Sequence, residues 1–185
     1  ISNRFTGRTS TACQQFKAET LAAIDRLHPV AVIVGNYSGY HGRILGADGG
    51  GLDRAHELRA WETGYATIAQ KLRARNARMI VVLDDPSLAY DPIECIARHH
   101  AVGPCTPSRR DALKTTGPMN AAATQGVQSA GYGSLFDPTD AICDQQVCRL
   151  QDQGVYVYAD PDHLTYRFTL MQTSHWVDSI AAATR

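Results

Sequence analysis

Two continuous apolar runs dominate the pattern of this chain: VAVIVGN at residues 30–36 and RMIVVLDDP at residues 78–86. Both are rich in β-branched residues and too short for buried helices. They predict strands covered on both faces, hence parallel neighbours in one sheet. Before the first run, Phe16, Leu21, Ile24 and Leu27 recur at helical spacing and stop at His28-Pro29. Between the runs, Leu58, Trp61, Tyr65, Ile68 and Leu72 step by three and four residues. Asp53 stands near the start of that helix and Arg73 and Arg75 near its end, the signs that suit a helix dipole. Helix, strand, helix, strand is the order of a parallel α/β sheet.

Downstream the pattern is less regular. Residues 91–100 (DPIECIARHH) predict a short helix after Pro92. Residues 108–128 predict Ala-rich helix broken near Gly117-Pro118. Residues 132–143 (YGSLFDPTDAIC) predict a short strand ending at Asp137-Pro138. Residues 146–160 predict two strands around Asp152-Gln153-Gly154. A last helix from about Thr165 is expected to bury Phe168, Met171, Trp176 and Ile180. With no repeat, low-complexity tract or linker, residues 1–185 read as one domain, long enough for a substantial core.

Charge narrows the function classes. Lys plus Arg equals Asp plus Glu at 18 each, which argues against a general binder of nucleic acid or of anionic membranes. No apolar run reaches the roughly 18 residues of a membrane span. The five cysteines add a compartment. Cys143 and Cys148 bracket four residues, and Cys95 and Cys105 bracket a short loop with Gly103 and Pro104. Both spacings suit local disulfides in an oxidising compartment; free thiols are the alternative. His99 and His100 lie between Cys95 and Cys105, but the spacing matches no zinc pattern, and no metal is expected. Cys13 is left over. The chain opens Ile-Ser-Asn-Arg-Phe, without Met, and is expected to be a fragment of a longer protein.

In an open α/β sheet, ligands sit beyond the carboxyl ends of the strands. Gly35-Asn36 follows the first strand, and Asp160-Pro161-Asp162-His163 follows VYVY at residues 155–158. An aspartate three residues before a histidine can fold back onto imidazole Nδ1–H and leave Nε2 free to take a proton. The competing reading makes Asp160 a helix cap and nothing more. Ser38 with His41 fails as a nucleophile pair, because Asn36 stands where a Gly-x-Ser-x-Gly elbow requires glycine. The glycine-rich residues 46–51 lack the Lys-Ser/Thr of a phosphate loop and read as a flexible loop.

Several segments carry a family resemblance: residues 12–36 (ACQQFKAETLAAIDRLHPVAVIVGN), residues 79–97 (MIVVLDDPSLAYDPIECIA), and the finish FDPTDAICDQQVCRL…VYVYADPDHLTYRF. Together they resemble the SGNH (GDSL-like) hydrolases, in particular the extracytoplasmic SGNH domain at the C-terminus of acyltransferase-3 membrane proteins, which O-acylate cell-surface glycans. The resemblance implies a flavodoxin-like three-layer α/β/α fold with a parallel sheet. It implies His163 as general base, Asp160 as its orienting partner, and Asn36, with Gly35, in the oxyanion hole. Tyr37, Tyr40 and His41 would line an acceptor-glycan cleft.

The family's Gly-Asp-Ser block and its strand are not in these 185 residues. The nucleophile segment is therefore expected upstream, where it would also supply a partner for Cys13. Gly7 is a candidate for the second oxyanion donor. No resident cofactor is implied. The acyl group would come from acyl-CoA through an acyltransferase-3 transmembrane domain on the same polypeptide, which would tether this domain to the extracytoplasmic face of the membrane. Transfer to a glycan is the first reading. An O-acetyl esterase and a non-catalytic glycan-binding module are the alternatives.

Overall fold

In the computed structural model, which describes residues 11–35, 37–46 and 49–183, the two apolar runs pair side by side. Strand β1 (Ala31–Gly35) lies parallel to β2 (Arg78–Val82), with Ala31 opposite Arg78 and Gly35 opposite Val82. A third parallel strand, β3 (Ser134–Phe136), pairs with the other side of β2, so the sheet order is β1-β2-β3. Helix α1 (Thr11–Leu27) precedes β1, and α2 (Arg54–Arg73) and α5 (Thr116–Ala130) cross over between strands. Short helices α3 (Pro92–His99) and α4 (Arg109–Ala112) fill the connection from β2 to α5.

The pleat sorts side chains by parity. Val32, Val34, Met79, Val81 and Leu135 pack with Ile24, Tyr65, Ala69, Leu72, Ala123 and Val127 in one core. Ile80 and Phe136 point the other way, and Phe136 meets Trp176 of α8 (Thr173–Ala183) edge to face, with ring centroids 6.0 Å apart. Helices therefore lie on both faces of the sheet. Met79, Ile80 and Val81 are all but fully buried, each worth about 1.5–3 kcal/mol of apolar transfer.

Strand β1 departs from the expected burial on both faces. Ile33 is 57% exposed, and among the described residues β1 has a partner on one side only. An apolar groove of about 980 Å³ runs along it between α1 and α2, lined by Phe16, Leu21, Ile33, Ile68 and others. Phe16 and Ile68, expected on buried helix faces, line that groove and are exposed, and Leu27 at the end of α1 is exposed as well.

A second core lies apart from the sheet. It joins Leu88, Cys105, Ala112, Ile142, Cys143, Cys148, Leu150, Val157, Tyr158 and Phe168. Both expected disulfides, Cys95–Cys105 and Cys143–Cys148, form and are part of this core, with Cys95 packed against it. After α6 (Thr139–Ile142), strands β4 (Gln151–Asp152) and β5 (Val155–Tyr156) form an antiparallel hairpin around Gln153-Gly154. Both turn residues have positive φ, which matches the twist of a two-residue hairpin. The two strands expected around residues 152–154 are this hairpin, and it stands outside the three-stranded parallel sheet.

The helical readings shift locally. Gly117-Pro118 lies in the first turn of α5, where proline costs little, and the break falls before it. The expected last helix divides into α7 (Tyr166–Met171) and α8; Phe168 is fully buried, whereas Met171 is 37% exposed. Gly7, Asn36 and the side chain of Cys13 lie outside the described residues.

Candidate active site

The turn that carries His163 is held at both ends before its side chains act. Ala159 N–H donates to the His163 carbonyl at 2.8 Å, and Thr165 N–H to Val157 at 2.8 Å. The fully buried Tyr158 donates its hydroxyl to the Pro86 carbonyl at 2.9 Å, and Leu88 N–H donates to the Pro161 carbonyl at 2.7 Å. Those two bonds fasten the turn to the chain leaving β2. Burial raises the Tyr158 pKa, so the hydroxyl stays a proton donor.

Within the turn, Asp160 Oδ1 accepts the backbone N–H of Asp162 at 3.0 Å and of His163 at 2.8 Å. His163 Nδ1 lies 2.9 Å from Asp160 Oδ2 and 3.0 Å from Oδ1. The cap of α7 is Thr165, whose hydroxyl accepts from Phe168 N–H. Asp160 therefore shapes the turn and orients the ring, and does not cap the following helix. The bond to Asp160, then its charge and that of Asp162, raise the His163 pKa. Hydrogen bonds from Asp162 N–H, then the opposing cost of burial, then bonds from His163 leave Asp160 lowered. A carboxylate facing Nδ1 selects the Nδ1–H tautomer and leaves Nε2 as the basic nitrogen on a side chain that is 71% exposed.

The loop after β1 reaches this turn. Tyr37 donates its hydroxyl to Asp162 Oδ2 at 3.2 Å, and Tyr40 meets Tyr37 edge to face at 5.6 Å. His41 leans elsewhere: its Nδ1 is 2.5 Å from Oε2 of Glu57, a residue 1% exposed. Gly42 N–H and Arg54 complete that carboxylate's partners. Gly35 ends β1, and a Cβ there would meet no described atom within 4 Å, so packing does not require a glycine. Asn36, expected in the oxyanion hole, is outside the described residues; its neighbour Tyr37 is the link between this loop and the histidine turn.

Sequence reading missed the acidic floor. Asp84 Oδ2 accepts Ser38 N–H at 2.7 Å, and Asn120 clamps the Asp84 backbone, accepting its N–H at 3.0 Å and donating to its carbonyl at 2.8 Å. Burial, then the adjacent Asp84 charge, push Asp85 to about 7. The signal was the Asp-Asp-Pro at residues 84–86, at the carboxyl end of the second apolar run. Among the described residues, Asp160, Asp162 and His163 are the group close enough to share a metal ion. Asp160 already spends its oxygens on two N–H groups and the imidazole.

A family model described as "SGNH domain (fused to AT3 domains)" matches residues 2–176. No curated protein matches the sequence. Among solved structures, the periplasmic domain of a lipopolysaccharide acetyltransferase from Salmonella ser. Paratyphi A aligns with a TM-score of 0.62 at 14% identity. The alignment covers 88% of this chain and 62% of that one, so the chain spans less than two thirds of that domain's length. The likeness is one of fold. Among the described residues no helix is long and apolar enough to cross a membrane.

Proposed function

The chain belongs to the family of SGNH domains fused to AT3 domains, enzymes of the SGNH acyltransferase/esterase type, and from that premise we propose that it transfers an acetyl or other short acyl group to a hydroxyl of a cell-surface glycan. The observation that carries this reading is the Asp160–His163 pair: a carboxylate on Nδ1, with Nε2 on an exposed ring.

The acyl group rides on a serine as an ester. His163 Nε2 removes the proton of the acceptor hydroxyl as its oxygen attacks the acyl carbon. The tetrahedral oxyanion is met by the amide of Asn36 and the backbone at Gly35, a type of donor worth roughly 3 kcal/mol at the transition state. Collapse breaks the serine ester bond, the imidazolium returns its proton to the serine oxygen, and the glycan leaves as the new ester. Asp160 keeps the ring in one tautomer throughout. The serine sits on a strand outside these 185 residues that pairs with the side of β1 left open among the described residues. The apolar groove beside Ile33 supports that placement.

Acyl-CoA is the ultimate donor, delivered through an acyltransferase-3 membrane domain of the same polypeptide. The domain works on the extracytoplasmic side of the membrane, a reading the two disulfides support. Tyr37 and Tyr40 offer ring faces to the glycan. The openness of the His163 ring favours a second reading, an O-acyl esterase in which water takes the acceptor's place.

Hydrolysis of p-nitrophenyl acetate by the intact protein tests the chemistry. His163→Ala is expected to lower the rate by about 10²- to 10⁴-fold. An unchanged rate removes His163 from the reaction and leaves a glycan-binding module.

A further inference from the structure

The carboxyl end of β2, the turn at Ser38–Tyr40 and the first turn of α5 border a small cavity of about 80 Å³. Asp84, Asp85, Ser38, Thr116 and Asp162 line it, with Tyr37. Three atoms in this wall, Ser38 Oγ, Asp85 Oδ2 and Thr116 Oγ1, are buried without a hydrogen-bond partner. Ser38 is 1% and Thr116 2% exposed, so solvent at the surface does not serve them. The Ser38 hydroxyl lies near enough to Asp84 to help lower its pKa against the larger effect of burial, yet it reaches no hydrogen-bond geometry with it. Unsatisfied buried polar atoms are rare and costly, and here three belong to residues that line one cavity.

Water meets the donor and acceptor pattern of the wall in the free protein, and a ligand that displaces it must reproduce those hydrogen bonds. Two hydroxyls can each give and take a hydrogen bond, and the Asp85 carboxyl accepts when ionised and also donates when protonated. Asp84, Asp85 and Asp162 repel an anion. An apolar group would leave all three atoms unmet. Neighbouring hydroxyls on one molecule satisfy the set, donating to Asp85 and accepting from Ser38 and Thr116. The cavity admits one edge of a sugar ring and not a whole glycan. It is also next to the chemistry, because Asp162 adjoins His163 in the chain and holds the Tyr37 hydroxyl. Burial and the Asp84 charge place Asp85 at about 7, the condition of a carboxylate short of donors.

We infer that this cavity is an acceptor subsite that holds a pair of neighbouring sugar hydroxyls and so presents an adjacent hydroxyl to His163. The inference rests on the acyl-transfer reading for the identity of the sugar as acceptor. Asp85, Thr116 and Ser38 are its specificity-determining contacts.

Saturation-transfer NMR on the full chain, with methyl glycosides of glucose, galactose, mannose and rhamnose and no acyl donor, reads binding without turnover. At least one glycoside is expected to receive saturation. Its Kd should rise about tenfold or more in Thr116→Val and Asp85→Asn, the ratio for losing one hydrogen bond to a charged or buried partner. Circular dichroism checks folding, and Ser38→Ala carries the test if Thr116→Val does not fold. Absence of saturation for every glycoside overturns the inference, as does equal binding by folded variants. Stabilisation of the chain by calcium chloride alone, lost in Asp85→Asn and without sugar binding, overturns it in favour of a cation. If p-nitrophenyl acetate hydrolysis depends on His163 while no glycoside binds, the subsite fails and acyl transfer stands. If a glycoside binds through Thr116 while His163→Ala hydrolyses normally, the sugar site stands and the chemistry falls.

Discussion

His163 acts as a base only when neutral, and Asp160 holds its pKa above the ordinary 6.5. The acid limb of activity is therefore expected above that value, because protonation at a higher pH already removes the base. Asp160→Asn takes away the hydrogen-bonded charge. It should move the limb to lower pH and cut the plateau rate by about 10²- to 10⁴-fold. A limb that stays put in a pH–rate profile would separate Asp160 from the imidazole. Glu57 makes a second residue-scale case. Burial raises its pKa, but bonds from His41, Gly42 and Arg54 outweigh that, and the net shift is downward. A lowered folded pKa adds stability above the unfolded value near 4.5 and loses it as pH falls through the folded value. Glu57→Gln should cost about 1–3 kcal/mol in urea unfolding at neutral pH, with the gap narrowing in acid. The contrast between these residues shows what sequence can reveal. Asp160 and His163 are three apart and bonded within their own turn, so their pairing was visible. Glu57 lies on the polar side of an amphipathic pattern, and its partners depend on how the loop after β1 folds back over α2.

At the scale of elements, α2 and α5 approach so closely that a Cβ on Gly126 would stand 2.3 Å from the Glu62 carbonyl oxygen and 2.8 Å from Tyr65 Cβ. Backbone on one side leaves no flexible atom to move. Gly126→Ala is expected to destabilise by about 1–3 kcal/mol through overpacking, despite alanine's better helix propensity. A melting temperature at or above that of the parent would refute the close packing. The parallel pair β1–β2 was legible because both strands are unbroken β-branched runs, and the hairpin turn because Gly154 follows Gln153. Alternation is the same in a hairpin and in a sheet strand, so VYVY alone did not show that the hairpin stands outside the parallel sheet. Period alone does not say which neighbour a strand chooses.

The molecule as a whole has two cores, and the histidine turn depends on the one outside the sheet. Tyr158 and Phe168 flank that turn and pack with Cys105, Cys143 and Cys148. Each disulfide closes a short loop and should contribute about 2–3 kcal/mol. Reduction is expected to lower the thermal midpoint and, before global unfolding, to raise hydrogen exchange at residues 157–168. Exchange that rises first in β2 would reverse that order. Among the described residues, one flank of β1 has no strand against it. Its peptide groups and the side chain of Ile33 form a ready template for any extended segment. When nothing covers it, two copies of these 185 residues can zip together along that flank, so concentrated samples should self-associate, and Ile33→Lys should keep them apart.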